Sequence, residues 1–111
     1  MYTKITIDGK EMELSANAAT PFRFKQVFKK DLLSIFADET KAQEEGIETV
    51  AELAYVMNKQ ATDADMNKLN YDDFILWLEG FGPMAFVNAS EEIVNAYTEQ
   101  TVSTSTPKKE A

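Results

Sequence analysis

The chain has no cysteine and no histidine. The first absence removes disulfides, thiolate metal sites and thiol nucleophiles; the second removes the commonest general base and the commonest metal ligand. Glycine-rich phosphate loops, a Gly-x-Ser-x-Gly elbow and a His-Glu-x-x-His pair are also missing. The expectation is therefore a protein that is not an enzyme and holds no cofactor and no metal. Positive charge is scarce, with 11 basic against 19 acidic residues and a net charge of −8. Phosphate backbones are bound by clustered Lys and Arg, so a nucleic-acid partner is not expected. The longest apolar run, Phe74-Ile75-Leu76-Trp77-Leu78, stops at Glu79. That is far short of the ~20 residues that span a bilayer, so no membrane partner is expected either. Met1 leads directly into an alternating stretch with no export signal, which suits a cytoplasmic location.

What remains is 111 residues, 44% hydrophobic, enough for one compact core and too few for two ordinary domains. Residues 2–15 read as a β-hairpin. Thr3 to Ile7 alternates, Asp8-Gly9 supplies the turn, and the alternation resumes from Met12 to Leu14. Thr20 as a capping residue before Pro21 at the first helical position is a helix start, and Phe22, Val27, Phe28, Leu32, Ile35 and Phe36 continue a helical stripe to Asp38. A polar stretch from Asp38 to Glu48 reads as solvated linker. Thr49-Val50-Ala51-Glu52 has capping-box spacing and opens a second helix over 49–60. Asn70 followed by Asp72-Asp73 opens a third over 70–80, which Gly80 and Gly82-Pro83 end. Ser90 with Glu91-Glu92 opens a fourth over 90–99, and residues 100–111 read as a disordered tail. The expected fold is mainly α with an N-terminal β-hairpin: about four helices in one small α+β domain over residues 1–99.

Two constellations invite a sharper reading. Asp63-Ala64-Asp65-Met66-Asn67 has the alternating oxygens of a calcium loop. A 12-residue loop starting at Asp63 puts Lys68 at the glycine turn and Phe74 at the bidentate carboxylate; one starting at Thr62 puts Ala64 and Met66 at ligand positions. The stretch reads instead as an Asx-rich linker. Phe81-Gly82-Pro83-Met84-Ala85-Phe86-Val87 is more unusual, a turn loaded with large apolar side chains. It is either the joint between two core helices or an exposed patch that a partner covers. Phe81, Met84 and Phe86 are the first candidate contacts. Phe22 and Phe24 come second, with the core the preferred reading of their helix.

The order of these parts carries a resemblance. A chain that starts with Ile5-Thr6-Ile7-Asp8-Gly9-Lys10-Glu11-Met12-Glu13-Leu14, continues into a Phe-rich helix and the Tyr71-Asp72-Asp73-Phe74-Ile75-Leu76-Trp77-Leu78 run, and ends in a Ser/Thr/Pro/Lys tail resembles the tail assembly chaperones of long-tailed (siphovirus-type) phages and prophages of Gram-positive bacteria. The resemblance spans most of residues 3–99 and includes no catalytic motif. It implies a non-enzyme of the host cytoplasm, absent from the mature virion. Its partners would be the tape measure protein, kept soluble by the chaperone, and the tail-tube protein recruited around it. A homo-oligomer is compatible with an uncovered hairpin edge. The competing expectation is a generic adaptor domain with one globular partner.

Overall fold

A computed structural model describes residues 2–62 and 65–103. Strands β1 (Tyr2–Ile7) and β2 (Lys10–Ser15) form an antiparallel two-stranded sheet, followed by helices α1 (Thr20–Phe28), α2 (Leu32–Ala37), α3 (Glu39–Ala61), α4 (Tyr71–Leu78) and α5 (Ala85–Ser103). A single 3-10 turn, Met66–Lys68, precedes α4. The protein is mainly helical with an N-terminal hairpin, as the sequence pattern indicates. No helix among the described residues is long and apolar enough to cross a membrane.

The hairpin turn uses positive φ at both central residues, Asp8 at 55° and Gly9 at 78°, the twist that a two-residue connection requires. Pairing of Ile7 with Lys10 and Ile5 with Met12 puts the alternate apolar residues on one face. There Ile7 and Leu14 are fully buried, with Ile5 and Met12 packed beside them. A lone hairpin is marginal in water, and this one is covered: β2 lies against α3 and β1 against α5.

The second half of α3 is the axis of the core. Leu53 to Met57 have no exposed surface, and burial of each large apolar side chain among them is worth about 1.5–3 kcal/mol. Polar side chains of the same helix tie the other elements to it. Asn58 donates through Nδ2 to the Glu13 carbonyl at 3.0 Å and accepts at Oδ1 from Trp77 Nε1 at 3.2 Å, joining β2 to α4. Gln60 Nε2 donates to the Ser15 carbonyl at 2.6 Å and the Thr20 hydroxyl at 2.9 Å, while Arg23 donates to Gln60 Oε1. Two carbonyls of β2 are thus satisfied by side chains of α3.

Helix boundaries differ from the sequence reading in the first, second and last helices. The helix expected over 20–38 is two helices. Lys29, at φ 63° and ψ 27°, closes α1 in the left-handed conformation, and the Asp31 carboxylate accepts from Ser34 N at 3.2 Å to start α2. The break brings Lys30 Nζ within 2.9 Å of the buried Glu52 carboxylate and 3.4 Å of Glu48. A buried carboxylate needs such a partner. Thr20 is the first helical residue and not its cap; its buried hydroxyl accepts from Asn17 N and Gln60 instead.

The expected linker 38–48 is helical from Glu39, interrupted at Gly46, whose φ of 60° and ψ of −144° suit only glycine. The capping box at Thr49 does not form, because Thr49 lies inside that helix, its hydroxyl buried and without a hydrogen-bond partner among the described residues. The last helix starts at Ala85, where Ala85 N bonds the Gly82 carbonyl at 3.1 Å, and Ser90 bonds the Val87 carbonyl within the helix. Its backbone continues to Ser103, into the segment expected as tail; residues 104–111 lie outside the described ones.

Candidate functional site

Helix α4 is short and set by its start. The Asn70 carboxamide accepts from Asp73 N at 2.8 Å, and Asp72 and Asp73 occupy the positive end of the helix dipole. Asp73 has a second task. Its Oδ2 accepts from the Tyr55 hydroxyl at 2.6 Å and lies 3.8 Å from Lys59 Nζ, pinning α4 to α3. Burial, and then the hydrogen bond and negative charge of Asp73, push the Tyr55 phenol above its ordinary pKa.

The joint between α4 and α5 is held from the opposite side by the hairpin turn. The Asp8 carboxylate accepts from Gly82 N at 2.8 Å, Lys10 Nζ donates to the Gly80 carbonyl, and the same ammonium lies 4.8 Å from the Phe81 ring centroid. Phe81, Phe86 and Trp77 close a triangle with centroids 5.1–5.6 Å apart, and Phe74 extends it to Tyr55 and Phe28. These tilted and edge-on contacts fix the rings.

Between the start of α3 beyond Gly46, the near side of α4 and this joint lies an open apolar groove of about 310 Å³. Phe74 and Phe86 form its buried floor; Ile47, Tyr71, Ile75, Leu78, Phe81 and Pro83 form its walls. Tyr71 and Ile75 are exposed at 51% and 37%. Large apolar residues are thus left open to water here, as Phe22, Leu33 and Leu76 are elsewhere on the surface.

The five candidate contacts from sequence separate here. Phe81 and Phe86 line the groove, Phe81 half-buried and Phe86 buried, while Met84 is exposed in the same joint. Phe24 is wholly inside the core and presents nothing to a partner; Phe22 is 71% exposed on α1, outside the groove. The 81–87 segment is a joint between α4 and α5 whose outer side, at Met84 and Val87, is open to solvent. The residues that sequence reasoning missed are Ile47, Tyr71 and Ile75. Tyr71 and Ile75 lie one helical turn apart, a signal that was present; Ile47 reaches the groove only through the turn at Gly46.

Among the described residues no three metal-ligating side chains cluster. Asp65 accepts from Asn67 N at 3.0 Å as an Asx cap of the 3-10 turn, and Asp63 and Ala64 lie outside the described residues. No protein-family model matches the chain, and comparison with curated proteins and with solved structures gives no significant match.

Proposed function

We propose that this protein is a tail assembly chaperone of a long-tailed phage or prophage, binding apolar helical segments of the tape measure protein in the groove beside α4. The chaperone keeps that client soluble in the host cytoplasm and helps recruit tail-tube subunits around it. The observation that carries the reading is the groove itself: an apolar floor and walls, open to solvent, on a small acidic protein. An amphipathic helix lays its apolar stripe into such a groove, and modest contacts repeated along a long client add through avidity. The order of hairpin, Phe-rich helix and Tyr71–Leu78 run supports the same family by resemblance.

The test is co-expression with a tape measure protein, taken from any very long helical reading frame in the gene neighbourhood. The proposal predicts that the client enters the soluble fraction and copurifies with the chain. A client equally insoluble with and without it, or a gene neighbourhood holding neither a tape measure nor a tail-tube reading frame, refutes the assignment.

A further inference from the structure

A second hollow of about 390 Å³ lies on the other side of Ile47, between the turn at Gly46 and α5, with Val50, Glu91 and Val94 among its walls. Ile47 lines both hollows and stands between them, so they lie side by side as two halves of a trough across the start of α3 beyond the turn. The described charges lining the two hollows are acidic, and Lys10 stands at one rim over the Phe81 ring. Among the described residues, the trough's walls contain the carboxylates of Glu48 and Glu91 and no Lys or Arg. On the outer side of α4, Asp72 and Glu79 are exposed, three residues before and four after Ile75, on the same helix face and about 10 Å apart along the axis. Of these carboxylates only Glu48 is paired with a described cation, Lys30, which it shares with Glu52. Asp72, Glu79 and Glu91 have no ion pair with a described residue.

An apolar trough flanked by Glu79 and Glu91, neither of them ion-paired with a described residue, complements one class of occupant. We infer that it takes a cationic amphipathic helix of a partner protein, with the apolar stripe against Ile47, Ile75 and Phe81 and flanking Lys or Arg toward Glu79 and Glu91. The inference rests on the groove reading above and adds the sign of charge that selects the helix. An acidic helix with the same apolar stripe is rejected by like charge, and an anionic lipid surface is rejected on the same ground.

The experiment titrates the full-length protein with three labelled peptides of about 18 residues, some 27 Å long when helical. They are a Leu/Lys amphipathic helix, a Leu/Glu helix with the same apolar stripe, and a Leu/Lys scramble without a stripe. Anisotropy reports binding, and Trp77 emission reports the groove. The expected result is saturable binding of the Leu/Lys helix, at least about tenfold tighter than either other peptide and weaker at high salt. The double variant Glu79→Lys/Glu91→Lys, folded by circular dichroism, is expected to invert the preference between the Lys and Glu helices. Equal affinity for these two helices overturns the charge rule, as does tight binding of the scramble or an unchanged preference in the folded variant. Failure of the chaperone assignment gives a different pattern: the Leu/Lys helix binds as predicted while the long client stays insoluble.

Discussion

Replacing Asn58 by Leu keeps the side-chain volume close to the original and removes only the amide. In the protein that amide bridges β2 and α4, bonding the Glu13 carbonyl and Trp77 Nε1 at 3.0 and 3.2 Å from a site only 9% exposed. Each hydrogen bond contributes about 1 kcal/mol net, and each orphaned buried partner costs about 1–3 kcal/mol. The Glu13 carbonyl is near the sheet edge and can recover water, whereas the indole N–H sits among rings. The expected loss is therefore about 2–4 kcal/mol, a fall of roughly 8–16 °C in Tm at about 4 °C per kcal/mol. Thermal unfolding followed by circular dichroism measures it. A double-mutant cycle isolates the cause. Trp77→Phe removes the donor, so Asn58→Leu should cost about 1 kcal/mol less in that background than alone. A loss below about 0.5 kcal/mol, or strictly additive variants, would refute the claim that the Asn58 amide ties β2 to α4.

Three further outcomes follow from the same structure. Gly46→Ala meets no neighbouring atom but must adopt a backbone conformation closed to residues with a Cβ, so it should lose about 1–3 kcal/mol and disturb Ile47 in both hollows; unchanged Tm and unchanged peptide binding would contradict this. Tyr55 is held protonated by burial and Asp73, so its folded pKa lies above the unfolded value near 10. Its contribution is complete below about pH 10 and is lost as pH rises beyond it, and Tyr55→Phe should flatten the alkaline fall in a stability-against-pH series. Asp31→Ala should fray the start of α2 by about 1 kcal/mol in chemical denaturation, because it removes the acceptor for Ser34 N.

Local chemistry made the hairpin and α4 legible: Asp8-Gly9 dictates its own turn, and Asn70 followed by two aspartates dictates a helix start. The break after Phe28 was hidden because the apolar stripe continues across it. Asp31 and Ser34, spaced as a cap, were the available sign. Glu39 to Glu45 looked like linker because it lacks an apolar face, yet its Glu, Lys, Ala and Gln favour helix. Gly82-Pro83 ends α4 and also leads into α5, whose first residue, Ala85, bonds the Gly82 carbonyl five residues ahead of the start expected at Ser90. Of the site, the 81–87 segment was visible as an apolar turn. The trough was not, since Ile47, Tyr71 and Phe86 are brought together by packing and no local pattern reports that.

The central claim is that the groove beside α4, and not another apolar surface, holds the client. Ile75 is a partly exposed wall residue, and Phe22 is the most exposed large apolar side chain away from it. Changing either to Asp should cost little stability, about 1 kcal/mol or less, because neither is buried. The decisive measurement is the soluble yield of co-expressed tape measure protein with Ile75→Asp and with Phe22→Asp. The account predicts loss of solubilisation with Ile75→Asp and retention with Phe22→Asp. Full activity of a folded Ile75→Asp, or loss confined to Phe22→Asp, would contradict it.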